Sequence, residues 1–482
     1  MFVCSVLSVQ RHRIDNKVVK TDQFLPDSAH RLRWVLLKGA RRQNSADKQE
    51  MQQVLILCLV VAVILAHDEA PPAQSAAPDP DAVFVLFGTR HGNRNPGKFL
   101  EEHPNWGQEG DTELTKYGKK QAFGLGKELR KFVDHFVDGN YVPKEAKFYS
   151  SSANRCQMTL QAALAGLYPP KSYADWGDLE WTPVPYTIDD PMLRMYAVDP
   201  CPASDAAWQP ITDDNLEELV KLTEEKKPVL EYIAKNTGWN ASISDAADLA
   251  DNIIELDLYG VAYPDWLEHP TLEGFTKESL KKEIMEFGEN HQIKCAEYAP
   301  CRDMMAGLWL NHVVESLQKL LDGKQKLKII GYASHTEVTL ALMKVMHYIK
   351  KEITTSAGFV IEVRKKGETL QLRLLNHDPT PIDSHVIYQA EYSDELKKLA
   401  KDDGVWVDVA DFIKLVKFKA FSDWKAECGI GAVEEPAAVQ QNEPVLCNAV
   451  QVQPAQGASN ALKADNPVPP PPEGAAPAAN PY

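Results

Sequence analysis

The 482-residue sequence lacks an excess of positive charge. It contains 52 lysines and arginines against 68 aspartates and glutamates, which gives a formal net charge of −16 at pH 7. Proteins that bind the phosphate backbone of nucleic acids normally carry a basic face. The charge balance therefore argues against nucleic acid as a partner.

The sequence also lacks an apolar run of the length that a membrane span requires. A spanning helix needs about 20 apolar residues, whereas the run Val54–Ala66 has thirteen. That length is typical of the apolar region of a secretory signal. We therefore predict a signal over residues 51–66, export of the chain, and no membrane anchor. A buried core segment is the alternative interpretation of this run.

The two ends of the sequence differ in composition from its middle. Residues 1–50 hold ten basic and five acidic side chains without a clear pattern. We interpret residues 1–66 as an extension plus the signal, with the hypothesis that translation starts at Met51. Residues 67–80 are predicted to be a Pro/Ala-rich linker. Residues 431–482 are also rich in proline and alanine, and such a segment buries too little apolar surface to offset its ordering entropy, so we predict a disordered tail.

Cysteine spacing is equally informative. No Cys-x-x-Cys pair and no Cys/His cluster with zinc spacing occurs, so the cysteines do not predict a zinc site. We predict no cofactor. Six cysteines follow residue 66, and an even number in an exported chain allows up to three disulfides: Cys156, Cys201, Cys295, Cys301, Cys428 and Cys447. Asn240-Ala241-Ser242 is an acceptor pattern for N-glycosylation. Together with the signal, these features predict a protein that is secreted or resides in the lysosomal lumen.

Residues 81–430 show alternating strand and helix patterns, which predict an α/β domain. Continuous apolar runs at Ala82–Phe87 and Leu327–Tyr332 are typical of strands buried on both faces. Residues 191–300 are mainly helical in pattern, including a helix that we expect to break near Pro228. We predict a mostly parallel central sheet flanked by helices, with a core over about 81–190 and 301–430 and an inserted helical cap over about 191–300.

Two groups of polar side chains follow buried strands. Arg90, His91 and Arg94 come directly after the first strand, and the carboxyl ends of strands in such sheets are where ligands bind. Arginine forks match phosphate oxygens, and a neutral imidazole between them is a competent nucleophile. His335 and Glu337 follow a second strand, at the start of a helix whose N-terminus favours an anion. Glu337 is a candidate proton donor, although an acidic first turn also stabilises a helix without any catalytic role.

The segment Arg90-His91-Gly92-x-Arg94-x-Pro96 resembles the RHGxRxP signature of the histidine acid phosphatases, the prostatic and lysosomal branch of the histidine phosphatase superfamily. Further stretches similar to this family occur along most of residues 81–430. The resemblance implies an α/β core with a helical cap, and hydrolysis of phosphate monoesters through a phosphohistidine without a metal. It assigns His91 as nucleophile, and it assigns Arg90, Arg94 and His335 to phosphate binding. It also implies a disulfide between two cysteines at matching places, Cys201 and Cys428.

The sequence departs from the family pattern at two places. The family usually has His-Asp as its second motif, whereas here Thr336 follows His335; some inositol-phosphate-cleaving relatives have the His-x-Glu arrangement that His335 and Glu337 resemble. A third phosphate-binding arginine is expected at the end of the second strand, where this chain has serines, and Arg155 matches a different, downstream arginine. A literal His-Asp pair, His377-Asp378, precedes a proline and is predicted to form a turn.

We therefore predict an exported acid phosphatase that acts on small-molecule phosphate monoesters, with Glu337 as proton donor. The alternative is a secreted protein of the same fold that binds phosphate ligands with little or no catalysis, because of the missing arginine and Thr336. The sequence leaves a homodimer open.

Overall fold

The computed structural model describes residues 75–100, 106–380 and 382–430. All of these residues except the last, Ile430, belong to a unit that ends at Gly429. The predicted extension, the signal, most of the linker, the tail and Cys447 lie outside the described residues.

Eight strands of the described residues form one sheet. They are β1 (Ala82–Arg90), β2 (Ala146–Ser150), β3 (Thr187–Ile188), β4 (Ile329–Ser334), β5 (Gly358–Lys366), β6 (Thr369–Pro379), β7 (His385–Gln389) and β8 (Val407–Asp408). The strand order is β3-β2-β4-β1-β5-β6-β7, and β8 pairs with β6. The first four strands in this order are parallel, whereas β5, β6 and β7 continue the sheet in antiparallel pairs.

Helices occupy most of the chain between the strands. In chain order they are α1 (Lys116–Val133), α2 (Asn154–Leu167), α3 (Asp190–Leu193), α4 (Pro202–Thr212), α5 (Glu217–Thr237), α6 (Ile243–Tyr259), α7 (Asp265–Glu268), α8 (Lys277–Met285), α9 (Asn290–Glu297), α10 (Ala299–Leu321), α11 (Thr336–Val345), α12 (Asp394–Lys397), α13 (Asp402–Val405), α14 (Val409–Val416) and α15 (Trp424–Glu427). Helices α3 to α9 fall in the region where the sequence predicts a cap. The division into core and cap stays a prediction.

Strand β1 lies in the middle of the sheet because its sequence can be buried on both faces. Phe84 to Arg90 are all buried. One hydrophobic cluster fills the space between this sheet and helices α1 and α2, with Phe87, Phe148 and Leu160 among its members. Burial of each such side chain contributes about 1.5–3 kcal/mol. The central strands are therefore a firm support for the residues at their ends.

Two local expectations are wrong. Helix α5 continues through Pro228, because tertiary packing of residues on both sides, such as Leu219 and Ile233, outweighs the lost backbone hydrogen bond. His377 and Asp378 lie in strand β6, paired with β5 and β7, and do not form a turn.

Two disulfides hold the helices. Cys201 pairs with Cys428, as the resemblance implies, and joins the start of α4 to the end of α15. Cys295 pairs with Cys301 across the junction of α9 and α10, a pairing that the sequence left open. Cys156 is a buried free thiol. No helix in the described ranges is long and apolar enough to cross a membrane.

Candidate active site

The candidate residues meet at one edge of the sheet because three parallel strands end there. Arg90, the last residue of β1, is level with Ser334 at the end of β4. Ser150, the last residue of β2, is level with Ala333. His91 and His335 therefore leave neighbouring strands at the same height, and their ring centroids are 5.6 Å apart in an edge-on arrangement.

The ring of His91 is buried and held in one tautomer. Its Nδ1–H donates a hydrogen bond of 2.9 Å to the carbonyl oxygen of Gly92, so the lone pair is on Nε2. Burial lowers the pKa of His91 well below its ordinary value, and the positive charges of Arg155 and Arg90 lower it further. The imidazole is therefore neutral in acid as well as at neutral pH, as a nucleophile must be.

The turn after His91 depends on a contact between two glycines. A Cβ atom on Gly92 would lie 2.5 Å from the carbonyl oxygen of Gly118, and one on Gly118 would lie 2.2 Å from the carbonyl oxygen of Asn93. Gly118 is in the first turn of α1, whose N-cap Thr115 accepts hydrogen bonds from the amides of Tyr117 and Gly118. The helix start is thus packed directly against the loop that carries His91.

His335 has a hydrogen-bond partner at each ring nitrogen. The Nη2 group of Arg155 donates to Nδ1 at 3.3 Å, so Nε2 carries the proton and donates to Ser151 Oγ at 2.9 Å. Burial lowers the pKa of His335 well below its ordinary value, and the charges of Arg155 and Arg194 add to this effect. This environment favours the neutral imidazole.

Arg90 and Arg94 both face carboxylates. Arg90 donates to the carbonyl oxygen of Ile353 at 2.9 Å and forms an ion pair with Glu289. Arg94 pairs with Asp251 at 2.8 Å and lies 3.7 Å from Glu289. Although burial alone would lower the pKa of Arg94, these carboxylates raise it, so the guanidinium stays charged.

Arg155 supplies a further guanidinium that sequence reasoning did not place in the site. It lies in the first turn of α2, directly after the end of β2, and lines the same cavity as His91 and His335. Among the described residues no carboxylate lies within ion-pair distance of it. The serines at the end of β2 therefore do not leave the site with only two arginines. Its position next to a strand end was the signal that could have identified it.

Glu337 is buried, with 5% of its surface exposed, in the first turn of α11. Burial raises the pKa of Glu337 to about 7. Its carboxyl group is therefore protonated in acid and able to donate a proton. The nearest sequence alternative, Asp378, binds Lys350 and Tyr388 on the antiparallel side of the sheet and does not line this cavity.

A cavity of about 430 Å³ is lined by His91, Arg94, Arg155, His335 and Glu337. Arg90 lines a neighbouring cavity that shares Arg94 and Glu289 with the first. The wall and mouth of the first cavity also include side chains from the region of the predicted cap: Tyr196, Asp205, Trp208, Thr212, Glu289 and Gln292. Their positions depend on long-range packing, and no local sequence pattern pointed to them. In the described ranges no group of three or more His, Cys, Asp and Glu side chains is arranged to hold a metal ion.

Residues 82–357 match the family described as the histidine phosphatase superfamily, branch 2. The chain belongs to this superfamily. The matched region contains Arg90, His91, Arg94, Arg155 and His335, so the resemblance seen in the sequence is confirmed.

Curated relatives of this histidine phosphatase include two lysosomal acid phosphatases. The protein from Rattus norvegicus is 24% identical over 337 residues, which cover 67% of this chain and 74% of the rat protein. The protein from Xenopus laevis is 25% identical over 341 residues, which cover 67% of this chain and 76% of the frog protein. Because these homologues are acid phosphatases, the predicted enzyme class is confirmed at the level of the family.

A solved structure shares the fold. The apo form of the phytase from Hafnia alvei matches with a TM-score of 0.53 at 13% identity, covering 73% of this chain and 99% of the phytase. At this identity the likeness concerns the fold alone. It confirms the predicted α/β architecture, in which helices flank a central sheet whose strands are parallel where this histidine phosphatase carries its candidate site.

Proposed function

We propose that the protein is an exported acid phosphatase that hydrolyses phosphate monoesters through a phosphohistidine at His91. The observation that carries this proposal is the state of the His91 ring. Its Nδ1–H is bound to the Gly92 carbonyl, so the lone pair is on Nε2, and the ring lines a cavity that also contains Arg94 and Arg155. A neutral nucleophile beside guanidinium groups fits the capture of a phosphoryl group.

In the proposed first step, His91 Nε2 attacks phosphorus and the bond to the ester oxygen breaks. The leaving alkoxide takes the proton of the Glu337 carboxyl group. In the second step water attacks the phosphohistidine, the Glu337 carboxylate takes a proton from that water, and inorganic phosphate leaves with the His91 ring restored. Glu337 thus alternates between acid and base, as a single carboxyl group can when its pKa is near the working pH.

Phosphate binding is assigned to Arg90, Arg94, His335 and, in addition, Arg155. Guanidinium groups fixed before the reaction stabilise the charge that spreads over the phosphoryl oxygens, which supplies most of the acceleration in phosphoryl transfer. His335 holds Arg155 through Nδ1. A bound phosphate dianion would favour the protonated form of His335 and so allow it to donate as well.

The test is direct trapping of the intermediate. The full chain is mixed with an aryl phosphate labelled on phosphorus and quenched in alkali, in which the N–P bond of phosphohistidine is stable, and the labelled peptide is identified by mass spectrometry under alkaline conditions. Label on His91 is the expected result, and label on another residue contradicts the proposed nucleophile. Because His91 forms the bond to phosphorus, we expect the His91→Ala variant to lose at least about 10³-fold in kcat.

The alternative, a phosphate-binding protein with little or no catalysis, makes a different prediction in the same assay. Turnover of a chromogenic aryl phosphate at pH 5 would then equal that of His91→Ala, while inorganic phosphate still binds. The presence of Arg155 in the cavity weakens the main argument for this alternative, since it supplies the guanidinium that the serines after β2 lack.

Export is supported by features that are independent of the site. Two disulfides form within the described residues, and disulfides persist mainly in oxidising compartments. Asn240 is exposed between α5 and α6, so a glycan can be attached there. We expect N-terminal sequencing of the secreted or lysosomal protein to begin after the signal at residues 51–66. We also expect glycosidase treatment to lower the apparent mass of the wild type and leave Asn240→Gln unchanged.

A further inference from the structure

The carboxylate of Glu289 lies inside the candidate phosphate site, although the proposed chemistry makes no use of it. Glu289 pairs with Arg90 Nη2 and lies 3.7 Å from Arg94 Nη2. It also accepts a hydrogen bond of 2.9 Å from the hydroxyl of Thr336, which stands between His335 and Glu337 in the sequence. One carboxylate thus links the two motifs that define the site.

A carboxylate and a phosphate group bind the same hydrogen-bond donors. Both accept hydrogen bonds from the fork of N–H groups on a guanidinium. Among the described residues Arg90 Nε has no hydrogen-bond partner, so a substrate phosphate bound by the full Nε–Nη2 fork of Arg90 competes with Glu289 for Nη2. Arg94 has a second carboxylate partner in Asp251 at 2.8 Å, whereas Arg155 has no carboxylate within ion-pair distance among the described residues.

The backbone supports a specific role for this side chain. Glu289 has φ of +56° and ψ of 19°, in the left-handed region, and is the N-cap of α9. Residues other than glycine, asparagine and aspartate adopt this conformation at a cost, and such positions cluster at functional sites. Arg90 and Arg94 outweigh the effect of burial and hold the pKa of Glu289 below its ordinary value, so the group is ionised at pH 5.

We propose, building on the proposed function, that Glu289 is a specificity-determining residue: it competes with substrate phosphate for Arg90, and its charge disfavours esters that carry a second anionic group. Arg155 then makes the first contact with phosphate, and Arg90 joins once Glu289 has released it. The site accordingly prefers simple monoesters with a neutral or cationic alcohol over polyphosphorylated substrates.

The other charges around the mouth agree with this preference. Asp205 and Trp208 lie on one face of α4 and line the cavity together with Tyr196. An apolar wall with a carboxylate suits an uncharged or cationic alcohol, whereas a second phosphate group would meet Asp205 and Glu289.

The first test measures binding without turnover. Inorganic phosphate is titrated by calorimetry into the wild type and into Glu289→Gln, which keeps the side-chain shape and removes the charge. We expect phosphate to bind about tenfold more tightly to the variant, because a charged competitor for Arg90 is gone. Glu286→Gln is the matched control, since Glu286 is in the same segment and pairs with Lys226 away from the cavity. Equal affinities for the wild type and Glu289→Gln would overturn the proposal.

The second test compares two substrates that share a carbon chain and differ by one phosphate group: the monophosphate and the bisphosphate of 1,3-propanediol. We expect wild-type kcat/KM to favour the monophosphate, and Glu289→Gln to raise the bisphosphate-to-monophosphate ratio about tenfold. An unchanged ratio contradicts the specificity role. Glu289→Gly is a second variant, because glycine adopts the positive φ of this position without strain. It should shift the ratio in the same direction, even if Glu289→Gln fails to fold.

The outcomes also separate this inference from the function on which it rests. If the wild type turns over the monophosphate and binds phosphate no differently from Glu289→Gln, only the role of Glu289 fails. If the wild type and Glu289→Gln both fail to turn over any monoester, and their background rate equals that of His91→Ala, the phosphatase assignment itself fails.

Discussion

His335 lies edge-on to His91, with their ring centroids 5.6 Å apart. The two imidazoles share the field of the same arginines, and burial together with those charges lowers the pKa of both. Both environments favour the neutral ring, so the only side chain of the proposed reaction that titrates near neutral pH is Glu337. The pH dependence of catalysis should therefore follow the titration of that carboxyl group.

We expect kcat/KM to fall as the pH rises through about 7. Burial raises the pKa of Glu337 to about 7, so the carboxyl group holds its proton below that value and loses it above. The acid limb lies well below the ordinary pKa of histidine, because His91 resists protonation. This extends activity from acid toward neutrality, further than a glutamate of ordinary pKa of about 4.3 would allow. A pH–rate profile of the wild type measures both limbs.

The Glu337→Gln variant identifies the donor. General acid catalysis contributes about 10²–10⁴-fold, so we expect kcat to fall by this factor and the limb near pH 7 to disappear. Asp378→Asn is the control, because Asp378 belongs to the other half of the sheet and binds Lys350. A profile that keeps its limb in Glu337→Gln and loses it in Asp378→Asn would show that the donor assignment is wrong.

Arg155 should behave as a phosphate-binding residue although it does not stand where the family pattern expects one. A charge-assisted hydrogen bond contributes about 1.5–3 kcal/mol. We therefore expect Arg155→Ala to lower kcat/KM by about tenfold to a hundredfold and to weaken inhibition by inorganic phosphate in parallel. Arg155→Lys should recover part of the loss, because lysine restores the charge without the fork. If phosphate inhibits Arg155→Ala as strongly as the wild type, Arg155 does not bind phosphate and serves only to orient His335.

The contact between Gly92 and Gly118 predicts a loss of activity from a mutation outside the motif. In Gly118→Ala the new Cβ would lie 2.2 Å from the Asn93 carbonyl oxygen, so the loop that carries His91 must shift. A displacement of about 1 Å at a reacting group costs about a hundredfold in rate. We expect kcat to fall by about this factor in a folded protein. Gly139→Ala is the control, since its Cβ would lie 3.9 Å from the nearest atoms, and it should be as active as the wild type. Equal kcat values for the two variants would contradict the argument.

The candidate residues that the structure brings together are those that follow a strand. A buried apolar run fixes a strand in the sheet, and the residues directly after it must emerge at the sheet edge. This reasoning predicts that His91 and His335 both emerge where strands end, and in the structure their ring centroids are 5.6 Å apart. The predicted turn at His377-Asp378 is wrong for a related reason. Pro379 suggested a turn, but the pair lies in strand β6, and the ring of His377 is buried and hydrogen-bonded to the carbonyl oxygen of Gly88.

The residues that the sequence missed come from contacts between distant segments. Glu289 meets Arg90 across 199 residues, and its position follows from the packing of α9 rather than from a local pattern. Arg155 matches a different, downstream arginine of the family, so the sequence comparison gave it no phosphate-binding role. A side chain as long as arginine can reach a neighbouring position in space, and only the coordinates show where its charge lies.

The two disulfides should contribute unequally to stability, and the larger contribution should also affect the site. Cys201 and Cys428 are 227 residues apart, whereas Cys295 and Cys301 are six apart. In the chain-entropy description a cross-link stabilises more when it closes a longer loop, which gives about 5 kcal/mol for the first pair and about 2 kcal/mol for the second. We expect urea unfolding to show a larger loss of free energy for the Cys201→Ala/Cys428→Ala variant than for Cys295→Ala/Cys301→Ala.

Cys156→Ala serves as the stability control, because it removes a buried thiol without opening a loop. Cys201 is the N-cap of α4, the helix that carries Trp208 and Asp205 at the cavity mouth. Removal of the first disulfide should therefore also raise KM several-fold while kcat, which depends on residues at the strand ends, changes little. If the short disulfide proves the more stabilising of the two, loop closure does not govern their contribution to the free energy of unfolding. If loss of the Cys201–Cys428 disulfide lowers kcat and leaves KM constant, α4 does not act through substrate binding.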